Sequence, residues 1–140
     1  MNAIGIRLAI RKDKLPELRK MARQGKIPFR ADGWWADYPD AENFLQLLYG
    51  PNAGQENQAR FRLPEYDRLY DQARALPDGP ERTALFGRMQ ELMVAYAPMR
   101  LTVHTIDDHA WHARVRNYRA HPIRSFSFRY YDVSGPVAGR

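Results

Sequence analysis

The sequence predicts an α/β fold, and three observations support that prediction. Apolar side chains alternate with polar or small ones over residues 4–10, which is typical of a strand with one buried face. Leu15, Leu18 and Met21 then recur at helical spacing, and residues 27–35 form a second strand-like run. A strand, a helix and a strand in this order indicate a parallel βαβ unit with a right-handed crossover.

Prolines and glycines delimit the predicted helices. Pro16 is compatible with a first helical turn, and Gly25 is placed to end the first helix. A short apolar helix over residues 44–48 is followed by a Gly-Pro pair that stops it. Residues 51–58, rich in Asn, Gln and Gly, are predicted to form an exposed loop that can face a ligand.

Two longer amphipathic helices follow this loop. The first begins near Pro64 and ends before Pro77, and the second extends from Glu81 to about Ala97. Methionines at helical spacing are more often core residues than ligands. The predicted apolar faces are Tyr66, Leu69, Tyr70 and Ala73 in the first helix and Leu85, Met89, Leu92, Met93 and Tyr96 in the second.

The last part of the chain is aromatic and basic. Residues 100–105 alternate as in a strand, and residues 125–131 are predicted as a final strand. Arginines alternate with aromatic residues over 114–131, a pattern that base-stacking platforms also show. A nucleic-acid-binding domain is therefore an alternative to a strand with buried rings and arginines that extend along apolar surface to solvent.

Composition limits the possible function classes. The 140 residues suffice for one ordinary domain, and the net charge of +6 is carried by arginines scattered among acids, which indicates a solvated surface. The absence of cysteine excludes disulfides, thiolate metal sites and a cysteine nucleophile. The N-terminal residues are not predicted to be a signal peptide, and their place within a predicted strand leads us to expect that earlier sequence is missing.

The stretch Gly33–Asp40 is the best candidate for a ligand site. It contains Trp34, Trp35 and the carboxylate of Asp37 directly after a predicted parallel strand, where open α/β sheets bind their ligands. Aromatic rings with polar tips can line a pocket and still satisfy their hydrogen-bond donors. The alternative interpretation is structural, with the rings in the core and Asp37 capping a turn.

Other constellations are weaker. His109 and His112 follow Asp107 and Asp108, and such residues can bind a metal, but no second ligand pair at a recognisable spacing accompanies them. The sequence has no G-x-S-x-G elbow and no glycine-rich nucleotide fingerprint. We therefore predict neither catalysis nor a metal or other cofactor.

The stretch Gly33–Leu45 resembles the G-W-x-A-D-Y-x-[DE]-P-x-x-F-L segment of the peptide-binding (family 5) extracellular solute-binding proteins of ABC importers. Ala41 stands where that segment commonly has proline. The similarity continues, in the same order, through Pro64–Leu69, the pairs Glu81-Arg82 and Gln90-Glu91, and Ala97-Pro98 before a strand.

The resemblance implies a part of a larger, two-lobed protein. This chain would be its C-terminal portion, a partial periplasmic-binding-protein type II-like lobe, with about residues 1–105 in the lobe and about 106–140 as a return segment. The partners implied are a peptide or related small solute and an ABC permease in the inner membrane. Further implications are a periplasmic location, a monomeric full-length form, no enzymatic activity and no binding of nucleic acid.

The resemblance also implies roles for three residues. Asp37 matches the aspartate that pairs with the ligand α-ammonium in oligopeptide-binding members of the family, and Trp34 and Trp35 would form a wall of the interlobe cleft. Family members that bind other solutes keep similar residues, so Asp37 does not by itself imply a peptide.

Overall fold

The computed structural model describes residues 2–10, 12–121, 123 and 128–135. Within these residues the helices and strands are α1 (Leu15–Arg23), α2 (Glu42–Leu45), α3 (Pro64–Ala75), α4 (Pro80–Tyr96), β1 (Val115–Arg116) and β2 (Asp132–Val133). Short 3₁₀ helices lie at Asn2–Ile4, Gln46–Leu48, Gly50–Asn52 and Phe128–Tyr130. The fold is thus mainly helical, with a small two-stranded sheet.

The core lies between α3 and α4, and α2 contacts both helices. The predicted apolar faces are largely confirmed, because Tyr66, Tyr70 and Ala73 of α3 and Met89 and Leu92 of α4 are buried. Tyr96, predicted to lie on the same face, is exposed. The buried cluster consists of Leu45, Leu48, Tyr66, Tyr70, Met89 and Leu92.

Tyr66 ties this core to α2. Its hydroxyl donates a hydrogen bond of 2.9 Å to the carbonyl oxygen of Leu45, and its side chain is completely buried. Burial, helped by the negative charge of Asp67, raises the pKa of Tyr66 far above its ordinary value. The hydroxyl therefore stays protonated and keeps donating.

The predicted loop is organised around Asn57, which is fully buried. Its Nδ2 donates to the carbonyl oxygens of Tyr49 and Phe61 at 3.0 and 2.8 Å, and its Oδ1 accepts from the Phe61 N–H at 3.2 Å. These three bonds satisfy backbone groups at both ends of the loop and add to its own backbone hydrogen bonds, such as Gly54 N–H to the Asn57 carbonyl. The backbone of residues 52–61 therefore has a fixed conformation.

α1 ends at Arg23, and Gly25, predicted to stop the helix, follows the C-cap with a φ of +71°. Arg60 joins this helix to the loop, because its guanidinium donates a hydrogen bond of 2.6 Å to the carbonyl oxygen of Arg23. A Cβ at position 25 would lie 2.8 Å from the Arg60 Nε. Glycine is favoured here by the backbone conformation, since the Arg60 side chain is flexible and can move away from a Cβ.

The structure corrects the predicted parallel βαβ unit. No strand forms over residues 4–10, 27–35 or 100–105 in the part of the chain that the structure describes. A strand needs a neighbour for its backbone N–H and C=O groups, and the described residues supply none to these segments. Ile6 and Val103, predicted to be on buried faces, are 51% and 85% exposed.

The sheet that does form is antiparallel and lies near the C-terminus. Val115 is paired with Val133 and Arg116 with Asp132. Part of the predicted strand 125–131 lies outside the described residues, and its end forms the 3₁₀ helix Phe128–Tyr130. No described helix is both long enough and apolar enough to cross a membrane.

Candidate functional site

The candidate site is the turn that leads into α2, and Asp40 fixes its end. The Asp40 Oδ1 accepts a hydrogen bond of 2.9 Å from the backbone N–H of Glu42, the first residue of α2. The backbone carbonyl of Asp40 accepts from the N–H of Asn43. Asp40, and not Asp37, thus satisfies the free N–H groups at the start of the helix.

Arg82 of α4 holds the same carboxylate. Its Nη1 lies 2.8 Å from the Asp40 Oδ2 and 2.6 Å from Asp78, and its Nε donates to the carbonyl oxygen of Ala73 at 3.0 Å. Burial alone would raise the pKa of Asp40, but the Glu42 N–H and the Arg82 guanidinium outweigh burial and hold that pKa below its ordinary 3.8. Asp40 therefore remains a paired, ionised carboxylate.

Glu42 connects the turn to α3. The hydroxyls of Tyr38 and Tyr70 each donate a hydrogen bond to one of its carboxylate oxygens. The bond to Glu42, together with burial, raises the pKa of Tyr38, so this hydroxyl is a stable donor. Tyr70 in turn stacks on Tyr49, with ring centroids 4.3 Å apart.

Asn43 is the polar centre of the turn, and its side chain is fully buried. Its Oδ1 accepts a hydrogen bond of 2.7 Å from the Trp34 Nε1 and one of 3.3 Å from the backbone N–H of Asp37. Its Nδ2 donates to the Asp37 Oδ2 at 3.4 Å. One amide therefore fixes both the indole and the aspartate.

Asp37 differs from Asp40 in its charge environment. Its side chain is exposed, and among the described residues it forms no ion pair. Asn43 donates to it without carrying a charge. The negative charge of Asp37 is therefore available to a cation that approaches from solvent.

Comparison with known proteins connects this geometry to a family. The chain is 32% identical over 120 residues, 85% of its length, to a protein of Haemophilus influenzae named "Heme-binding protein A". It is 29% identical over 94% of its length to "Di/tripeptide-binding protein 1" of Pseudomonas aeruginosa. It is 24% identical over 93% of its length to the "Dipeptide-binding protein" of Escherichia coli.

The chain is a relative of the family 5 solute-binding proteins. The resemblance predicted from Gly33–Leu45 is thereby confirmed. The chain spans only 22%, 24% and 25% of the length of the three relatives. No family model and no solved structure matches the chain.

In this family 5 relative the three predicted site residues have different environments. Trp34 is half-buried and bonded to Asn43, whereas Trp35 is 62% exposed. The structure therefore brings Trp34 and Asp37 together through one amide and leaves Trp35 as an open aromatic surface beside them in the sequence.

Sequence reasoning missed Asn43 and Arg82. Asn43 occupies a variable position of the family segment, and Arg82 is one of many arginines. No periodicity marks either residue, because each has partners nine or more residues away: Trp34 for the amide, and Asp40 and Ala73 for the guanidinium. The pair Glu81-Arg82 within the resemblance was the only available signal for Arg82.

A polar cavity of about 420 Å³ lies next to Glu42. It is lined by Glu42, Gln46, Tyr49, Asn52, Tyr70, Arg74 and Arg82, so it includes none of the predicted site residues. The hydroxyls of Tyr38 and Tyr70 occupy two of the roughly four acceptor positions of the Glu42 carboxylate.

The alternatives from the sequence gain no support. Over the part of the chain that the structure describes, no three His, Asp or Glu residues form a group that could hold a metal. Trp111 and Tyr118 stack on each other with centroids 4.1 Å apart, so one face of each ring is already covered. The names of the three relatives are those of peptide- and heme-binding proteins.

Proposed function

We propose that this chain is a segment of the substrate-binding component of an ABC importer for peptides or a related small solute. Two of the relatives described above are named for di- or tripeptides and one for heme. On this proposal the chain is the C-terminal portion of a two-lobed periplasmic protein, with about residues 1–105 in one lobe and about 106–140 as the return segment. It binds its ligand and breaks no bond.

The uncompensated carboxylate of Asp37 supports this proposal most directly. An α-ammonium group of a peptide is a small cation, and a charge-assisted hydrogen bond to a carboxylate is about twice as strong as a neutral one. Asp40, by contrast, is already paired with Arg82 at 2.8 Å. Of the two aspartates in the turn, Asp37 is therefore the one that can accept a ligand cation.

The tryptophans complete one wall of the site. Trp35 offers an exposed apolar ring, and Trp34 supplies a ring whose N–H is already satisfied by Asn43. Such rings favour apolar side chains and peptide groups over water. The opposing wall would be supplied by the second lobe, whose hinge closure sequesters the ligand before the protein docks on the permease.

The proposal predicts weak, amine-dependent binding by the 140-residue chain. Heteronuclear NMR of the three tryptophan indole N–H groups provides the test, because Trp34 and Trp35 lie at the proposed site and Trp111 lies elsewhere. A dipeptide with a free amine should shift the first two signals with a millimolar dissociation constant and leave Trp111 unchanged. The N-acetylated dipeptide should shift them much less.

Asp37→Asn is the decisive variant, because it keeps the shape of the side chain and removes the charge. In the isolated chain it should abolish the preference for the free amine. In a full-length form, with the ligand enclosed, it should weaken binding by about 2 to 5 kcal/mol. An unchanged preference would show that Asp37 only shapes the turn.

Two further outcomes would contradict the proposal. Tight binding by the isolated chain would show that no second lobe is needed, which contradicts the idea of a fragment. Titration with hemin, followed by its visible absorbance, tests the other ligand class named among the relatives. If hemin shifts the Trp34 and Trp35 signals and dipeptides do not, the peptide assignment is wrong.

A further inference from the structure

We infer that Asn43 is the positioning residue of the ligand site, and this inference rests on the function proposed above. Its single side-chain amide holds the Trp34 ring and the Asp37 carboxylate in one fixed relation, without neutralising the charge that Asp37 presents. The inference concerns geometry and selectivity, since Asn43 is fully buried and is placed behind the residues that would meet a ligand.

The hydrogen bonds fix the orientation of the amide. The Trp34 Nε1 and the Asp37 backbone nitrogen are donors, and both lie within hydrogen-bond distance of the same atom of Asn43, at 2.7 and 3.3 Å. Only the amide oxygen can accept from them. The Nδ2 must therefore point to the third partner, the Asp37 Oδ2, at 3.4 Å.

The choice of a neutral amide has a chemical consequence. A lysine or arginine in this place would pair with Asp37 and remove the charge that attracts an ammonium ligand. An aspartate could accept from Trp34 but would repel the neighbouring carboxylate. Asparagine donates to Asp37, accepts from its backbone and leaves its net charge intact, which is the combination that a preorganised cation site requires.

The position of Asn43 is itself fixed from both sides. Its backbone N–H donates to the carbonyl of Asp40, whose carboxylate is held by Arg82. Its neighbour Glu42 is bonded to Tyr38 and Tyr70. The amide therefore transmits the rigidity of the helical core to the turn, and the Trp34 ring cannot move independently of Asp37.

Asn57 offers a matched control within the same chain. It is also fully buried and also forms three side-chain hydrogen bonds, but its partners are Tyr49 and Phe61 and none of them belongs to the turn. Asn43→Ala and Asn57→Ala should thus be destabilised to a similar extent. Only Asn43→Ala should change the relative position of Trp34 and Asp37.

The test measures the preference for a free amine. If Asn43 only stabilised the fold, its removal would not change this preference more than the removal of Asn57. The ratio of the dissociation constants for an N-acetylated and a free-amine dipeptide is determined by NMR titration for the wild type and each variant. Asn43→Ala should lower the ratio at least threefold, and Asn57→Ala should leave it unchanged. The double variant Asn43→Ala/Asp37→Asn should be no less selective than Asp37→Asn alone, since both act through one carboxylate.

Hydrogen exchange in the wild type provides a second measurement that needs no variant. The indole N–H of Trp34 should exchange at least tenfold more slowly than that of the exposed Trp35. Equal rates would overturn the inference whatever the ligand. Equal losses of selectivity in the Asn43 and Asn57 variants would also overturn it, because the effect would then be general loosening.

The remaining outcomes separate the inference from the function it rests on. If Asp37→Asn abolishes selectivity and Asn43→Ala preserves it, the proposed function stands and the positioning role is wrong. If the wild type does not prefer the free amine at all, the proposed function fails and the inference fails with it.

Discussion

The helical region from α2 to α4 and the segments before and after it have similar shares of apolar residues, but these residues differ in burial. In the helical region Tyr66 and Met89 are fully buried, whereas Ile6 and Val103 in the flanking segments are 51% and 85% exposed. A helix satisfies its backbone within itself, and a strand depends on a neighbour. The helices can therefore form in this chain alone, and the predicted strands cannot.

The difference indicates where the stability of the chain resides. The relatives are about four times as long, and a longer protein can supply the sheet neighbours that the flanking segments lack. The helical region needs no such help for its core. The site turn lies at the boundary between the two regions and is attached to the helical one through Asn43 and Asp40.

The largest expected effect is in the helical core. Met89→Ala removes a fully buried side chain and should lower the free energy of unfolding by about 2 to 5 kcal/mol, from lost burial and the cavity left behind. Urea denaturation followed by circular dichroism measures the change. Val94→Ala is the matched control on the same helix, since Val94 is 75% exposed, and an equal loss there would contradict the assigned core.

A smaller loss is expected at the link between α3 and α2. Tyr66→Phe keeps the ring but leaves the buried carbonyl of Leu45 without its 2.9 Å hydrogen bond, which should cost about 1 to 3 kcal/mol. Tyr96→Phe, on an exposed ring, serves as the control. A neutral result for Tyr66→Phe would mean that water reaches the Leu45 carbonyl.

Acid should weaken the attachment of the turn. The pKa of Asp40 is lower in the folded chain than its ordinary 3.8, so its contribution to stability is complete above that value and is lost as the pH falls through the folded pKa. Denaturation between pH 7 and pH 2 should show this loss in the wild type and less of it in Asp40→Asn. Identical pH profiles would contradict the pairing with Arg82.

The smallest effect is expected in the flanking segments. Ile6→Ser and Val103→Ser should each change the free energy of unfolding by less than about 0.5 kcal/mol, because Val103 is largely exposed, Ile6 is about half exposed and neither belongs to the core. The same urea experiment applies. A loss as large as that of Met89→Ala would show that these segments are packed in solution, and the contrast between the two regions would disappear.

The sequence was informative wherever structure is local. Pro64 and Gly25 marked helix ends correctly, and the spacing of Tyr66, Tyr70 and Ala73 identified a buried face. Alternation over residues 4–10 records a preference for a half-buried strand, but a preference does not supply the partner strand. The predicted βαβ unit failed for that reason.

The candidate site was predictable only in part. Trp34 and Asp37 stood out by residue type and by the family segment, although their contact with a ligand stays a prediction. Asn43 could not be found, because its importance arises when the chain returns to bring Trp34 within 2.7 Å of a buried amide. Burial of a polar group is a tertiary property, and neither composition nor periodicity encodes it.

The contact between Arg60 and the end of α1 should make the stability of this helix depend on ionic strength. The Arg60 guanidinium reaches the Arg23 carbonyl in an exposed position, where the negative end of the helix dipole attracts a cation and salt screens that attraction. At 1 M salt the screening length is only about 3 Å. Nitrogen relaxation of the α1 amides should then report faster local motion, while the amides of α3 and α4 remain unchanged.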